Sequence, residues 1–124
     1  MYRIRVLIAN HPMMVPENIR QLVEEQHDME IVGDCRGPMR ILQETGRTKA
    51  DAVILAQEGT DEPGLCGQLL SVYPDLIIVG ITPDMSSAFI QQMRSHRQGV
   101  ATVYEPEILE WLRRAMGRES GRTL

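Results

Sequence analysis

Four short apolar runs in this chain end in side chains that offer chemistry. The first is followed by Asn10-His11-Pro12 and the third by Ala56-Gln57-Glu58-Gly59. The fourth leads into Thr82-Pro83-Asp84 and the fifth into Tyr104-Glu105-Pro106. Imidazole and carboxylate suit a transition metal, which makes Asn10, His11, Glu58 and Asp61 a ligand set to weigh. A lone histidine beside a proline reads more readily as a hydrogen-bonding or exposed loop residue. Asp61 and Asp84 are candidate carboxylates for accepting a phosphoryl group, but such transfer depends on positioning and charge neutralisation. Neither has a metal cage beside it, so solvated loop charge is the better account. The loop Gly59-Thr60-Asp61-Glu62-Pro63-Gly64 carries two acids and no following Lys, so it lacks the phosphate-cradling pattern. No nucleophile–base pair can be assembled from these ends. The chain is therefore expected to be no enzyme, with no catalytic residue, metal or cofactor.

The elements that must position these residues follow a repeating pattern. Apolar runs at Arg3–Ala9, Met29–Gly33, Asp51–Ala56, Leu76–Ile81 and Val100–Tyr104 are rich in β-branched residues. Runs of that kind suit strands buried on both faces of a parallel sheet. Helical periodicity lies between them. Val15, Ile19, Leu22, Val23 and Gln26 share one face behind Pro16, and Met85, Ala88, Phe89 and Met93 form a stripe in the fourth segment. Ile108, Leu109, Leu112, Ala115 and Met116 form the last stripe, opened by Pro106 and closed by Gly117. Pro38–Thr45 and Gly64–Val72 are weaker helical segments. The expected fold is α/β: a three-layer α/β/α sandwich, doubly wound and flavodoxin-like, built from five βα units. Its five-stranded parallel sheet would run in the order 2-1-3-4-5. In such sheets ligands bind beyond the carboxyl ends of the strands, where Asn10, Ala56, Thr82 and Glu105 would fall.

Bulk properties narrow the function. The chain has 124 residues, enough for one core, and we expect one domain over residues 1–117 with a flexible tail or linker stub at 118–124. The net charge is -4 and the arginines are interleaved with glutamates, whereas a nucleic-acid-binding domain shows a basic patch or stripe. No apolar run approaches the roughly 20 residues of a membrane span. The N-terminus enters a strand pattern with no signal-peptide h-region. Cys35 and Cys66 match no metal-ligand spacing and read as reduced thiols. A cytoplasmic protein that contacts neither nucleic acid nor membrane is the expectation.

Several segments, in order, are similar to those of CheY-like response-regulator receiver domains, in the subfamily that usually carries a helix-turn-helix output. Ile4-Arg5-Val6-Leu7-Ile8-Ala9-Asn10-His11-Pro12 resembles their opening strand. His27-Asp28-Met29-Glu30-Ile31-Val32-Gly33 resembles their second. Ala50-Asp51-Ala52-Val53-Ile54-Leu55 looks like the strand that leads into the phosphoacceptor, and Gly64-Leu65 sits where the third helix begins. Tyr73-Pro74-Asp75-Leu76-Ile77-Ile78-Val79-Gly80-Ile81-Thr82 resembles the fourth strand. The resemblance runs from Tyr2 to about Met116.

The resemblance also implies what has been lost. Receivers hold Mg²⁺ with acidic residues after the first and third strands, because that ion wants hard oxygen ligands. Here the acidic pair has shrunk to Asn10, followed by His11, and the phosphoacceptor position falls on Ala56, which has no nucleophile. Thr82 matches the family's hydroxyl residue. The position of the phosphate-neutralising lysine falls on Glu105, which would repel a phosphoryl group. The resemblance thus implies a degenerate pocket (Asn10, His11, Ala56, Thr82, Glu105) in a pseudo-receiver that works by binding a protein partner in a two-component-like, phosphorelay-like pathway, and as a homodimer. Ile90, Tyr104, Leu109 and Trp111 form the expected interaction surface. Leu109 and Trp111 lie at the margins of the last stripe, and tryptophan is enriched at interface hot spots. The eight methionines suit adaptable packing. The alternatives are a small-molecule sensor using the cleft at the strand ends, and the receiver part of a longer DNA-binding regulator.

Overall fold

The computed structural model describes residues 3–57, 64–82, 88–91, 98–100 and 105–116. In chain order these form β1 (Ile4–Asn10), α1 (Glu17–Glu24), β2 (Met29–Arg36), α2 (Pro38–Arg47) and β3 (Ala52–Ala56). Then come α3 (Gly64–Val72), β4 (Ile77–Ile81), β5 (Ala88–Gln91), β6 (Gln98–Val100) and α4 (Glu105–Ala115). The sheet order is β2-β1-β3-β4-β5-β6, and the first four strands are parallel. Every residue of β3 and β4 is buried, which is why both read as continuous apolar runs.

Alternate strand residues feed two separate cores. Ile4, Val6, Ile8, Ala52, Ile54, Ala56, Ile77, Val79 and Ile81 pack with Ile19 and Val23 of α1 and Leu109 and Leu112 of α4. Leu7, Ala9, Val53, Leu55 and Ile78 pack with Ile41 of α2 and with Leu65, Cys66, Leu69 and Leu70 of α3. The period-two alternation of strand side chains therefore divides the helices between the two cores. Pairing slips between Val6 and Leu7, which face Ile31 and Gly33, so Val32 is the extra residue of a bulge. A Cβ at Gly33 would lie 2.9 Å from Leu7 Cδ1, so a larger residue there would make the Leu7 side chain shift.

Beyond β4 the chain departs from the expected winding. Ala88–Gln91, expected on the helical stripe of Met85, Ala88, Phe89 and Met93, is a strand paired antiparallel to β4. The next strand, β6, is antiparallel to β5, so the order 2-1-3-4 does not continue with a fifth parallel strand. Residues 82–87 alone join β4 to β5, while a parallel crossover needs a dozen or more residues. Ala88-Phe89-Ile90 is short, apolar and partly β-branched, a type of run whose periodicity fits helix and strand alike. The expected strand at Val100–Tyr104 meets the described structure only at Val100. Residues 101–104, Met85, Met93 and the tail 118–124 lie outside the described residues.

An ionic clamp ties the last helix to the start of the chain. Arg113 donates from Nε to Asp28 Oδ2 at 2.8 Å and from its NH2 group to Gln26 Oε1 at 2.6 Å. Asp28 stands before β2 and Gln26 just after α1, so the clamp fixes α4 against that turn. The bond to Asp28 raises the Arg113 pKa above its ordinary value. Among the described residues, no helix is long and apolar enough to cross a membrane.

Candidate functional site at the carboxyl ends of the strands

Parallel register gathers the expected pocket residues at one edge. The last residues paired between β1 and β3 are Ala9 and Leu55, so Asn10 and Ala56 stand side by side one step further on. Ala56 pairs with Ile81, and the Gln57 amide donates to Ile81 O at 2.9 Å, which brings Thr82 level with Gln57. Asn10, Ala56 and Thr82 thus share one edge, as the spacing predicts. Glu105 opens α4, but its side chain lies outside the described residues.

Two features define this edge. The chain after β1 folds back so that Met13 forms an antiparallel bridge with Ala56, and Ala56 has no solvent exposure. The methyl group at the end of β3 packs in the core that Met13, Val15 and Ile81 share. Asn10, only 8% exposed, has all its hydrogen-bonding capacity engaged. Its Nδ2 donates to Asp34 Oδ1 at 2.7 Å and to Cys35 O at 3.2 Å. Its Oδ1 accepts from the Val15 amide at 2.9 Å and, more loosely, from the Arg20 NH2 group at 3.4 Å. A side-chain amide has two donor hydrogens and one acceptor oxygen with two lone pairs, so nothing remains for a metal or substrate. Asn10 staples β1 to β2 and to the loop ahead of α1.

Arg20 completes the network. Its Nε donates to Asp34 Oδ2 and its NH1 group to Glu17 Oε1, both at 2.5 Å. Burial works against the Arg20 charge, but Asp34 and Glu17 outweigh it and hold its pKa above the ordinary value. Burial likewise pushes the Cys35 thiol up. His11 is half-buried. Among the described residues no three His, Cys, Asp or Glu side chains form a metal cluster, and Glu58 and Asp61 lie outside those residues.

The expected interaction surface meets one correction. Leu109 is 2% exposed and belongs to the core beside α1, so it presents nothing to a partner. The broad apolar arc of α4 contains the core stripe, and Leu109 lies within it because the helix packs against both the sheet and α1. The side chains of Ile90 and Trp111, and all of Tyr104, lie outside the described residues.

Sequence reasoning missed Arg20, Asp34, Cys35, Arg36 and Arg40, which share the groove and network at the ends of β1 and β2. A local signal was present: Arg36 and Arg40 flank the start of a helix in an otherwise acidic chain. No family model, curated protein or solved structure matches this chain.

Proposed function

We propose that the chain is a pseudo-receiver, a phosphorylation-independent interaction module for a signalling partner in a two-component-like pathway, and a homodimer. Its strand order 2-1-3-4, with helices feeding cores on opposite faces of the strands, supports the flavodoxin-like, doubly wound, three-layer class. An antiparallel extension stands where that class has its fifth parallel strand. The observation that carries the functional reading is Ala56: an inert, unexposed methyl group at the end of β3, packed in the core and bridged through its backbone to Met13. A receiver needs a solvent-reachable carboxylate there, and transfer depends on a positioned, charge-neutralised acceptor. Recognition would then rest on the outer surface, with Ile90, Tyr104 and Trp111 as its anchors.

Incubation with acetyl phosphate and Mg²⁺, followed by intact mass measurement, tests the first part. We expect no phosphoryl adduct. An adduct that disappears on replacing Asp61 or Asp84 by Asn would overturn the reading. Light scattering on a size-exclusion column tests the second part, with a dimer expected for the wild type and a monomer for Trp111→Ala. A monomeric wild type at micromolar concentration would remove the homodimer from the proposal.

A further inference from the structure

An open groove of about 440 Å³ lies at the carboxyl ends of β1 and β2, walled by Asn10, Met14, Asp34, Cys35, Arg36 and Arg40. That volume falls within the range of small-molecule sites. Its two guanidinium groups come from adjoining elements: Arg36 ends β2, and Arg40 is the third residue of α2. Neither forms an ion pair among the described residues. Arg36 donates to Met14 Sδ at 3.2 Å, and a thioether is a weak acceptor. Arg40 has no hydrogen bond among the described residues. Asp34, the one carboxylate in the wall among the described residues, is already neutralised by Arg20 and bonded by Asn10. Arg36 and Arg40 thus bring two cations to the groove wall in a chain of net charge -4.

The location works against the helix. Cations are disfavoured beside the positive end of a helix dipole, and α2 has neither an acid in its first turn nor a side-chain cap. Two arginines that form no salt bridge among the described residues, with Arg40 sharing only a longer-range attraction with Glu44 one turn on, stand where they weaken a helix; that breaks a local rule, and functional sites are where such rules are broken. The guanidinium fork matches phosphoryl oxygens bidentately. Beside Arg36 stands an exposed apolar side chain, Met14, at 51%, a soft and adaptable surface for an organic moiety.

We propose that this groove binds a phosphoryl-bearing small molecule, with Arg36 and Arg40 gripping the phosphoryl oxygens and Met14 packing against the organic part. The site borders the degenerate pocket, with Asn10 as a shared wall, but it does not rest on the pseudo-receiver reading, since it uses none of Ala56, Thr82 and Glu105.

Inorganic phosphate, pyrophosphate and ADP, each without divalent metal, serve as probes in thermal-shift and calorimetric titrations of the full chain. ADP should bind most tightly and phosphate least. At a hundredfold excess over its dissociation constant, ADP should raise Tm by about 5 °C or more. The Arg36→Gln/Arg40→Gln variant should lose at least tenfold in affinity while its own Tm stays at or above that of the wild type, because those groups hold little else in place. Arg47→Gln, at the far end of the same helix and paired with Glu44, should bind as the wild type does. The proposal is overturned if no probe binds, if the double variant binds ADP as well as the wild type, or if Arg47→Gln loses as much affinity as the double variant. Equal binding of ADP and pyrophosphate would overturn the role given to Met14.

Discussion

Asn10→Asp puts a carboxylate back where the receiver resemblance places an acid, and the structure says that this substitution is costly. The replaced Nδ2 lies 2.7 Å from Asp34 Oδ1 and 3.2 Å from Cys35 O. Two donor bonds are lost, and two carboxylates are forced to about hydrogen-bond distance. At an effective dielectric near 20, like charges about 3 Å apart repel by roughly 5 kcal/mol. Arg20 offsets part of that, and Asp34, with 39% of its side chain exposed, is screened further by water. With the lost bonds included, a net cost of about 3 kcal/mol at pH 7 is reasonable. In urea this lowers the unfolding midpoint by about 1.5 M for a chain of this size.

The pH dependence sharpens the test. Beside Asp34 the introduced carboxyl favours its neutral form in the folded state, so its folded pKa is raised above the unfolded value. The stability linked to that proton is present below the unfolded pKa and is lost as pH rises through the folded one. The penalty relative to wild type should therefore shrink at about pH 4 and be full at pH 7. Urea titrations followed by far-ultraviolet circular dichroism at both pH values provide the measurement. A variant whose midpoint stays within about 0.3 M of wild type at pH 7, inside the extrapolation error, would refute the assignment of Asn10 as a structural staple. Such a result would restore it as a tolerant pocket residue.

Three further outcomes follow from the packing. Arg113→Ala cuts the bonds to Asp28 and Gln26 and, with both ion-pair partners mostly buried, should destabilise by about 1–2 kcal/mol, seen as a Tm drop of about 4–8 °C. Gly46→Ala would normally gain about 1 kcal/mol of helix propensity. Here the new Cβ collides with the Tyr73 hydroxyl, which donates to Leu42 O at 2.8 Å, so a net loss of about 1–2 kcal/mol is expected. A double-mutant cycle with Tyr73→Phe should reduce that loss. Iodoacetamide at pH 8 should label Cys35 more slowly than free cysteine, because burial raises its pKa, and should reach the unexposed Cys66 only on unfolding. Peptide mass mapping over time distinguishes the two sites.

The sequence by itself determined the parallel half of the fold. Four of the five apolar runs, with helical segments between them, located β1 to β4 and α1 to α3, and the weaker Gly64–Val72 segment coincides with α3, because strands buried on both faces leave a continuous apolar record. It also placed Asn10, Ala56 and Thr82 at one edge, since parallel register converts strand ends into neighbours. What lay beyond its reach depended on contacts distant in the chain. The antiparallel pairing of β5 was hidden because a three-residue apolar run fits either period, and only pairing with a neighbouring strand decides between them. The burial of Leu109 depended on where α1 sits. The use of Asn10 was equally invisible. An asparagine at a strand end is a ligand or a staple according to what faces it, and Asp34, Cys35, Val15 and Arg20 are brought there only by the parallel pairing of β2 and the return of the loop toward α1.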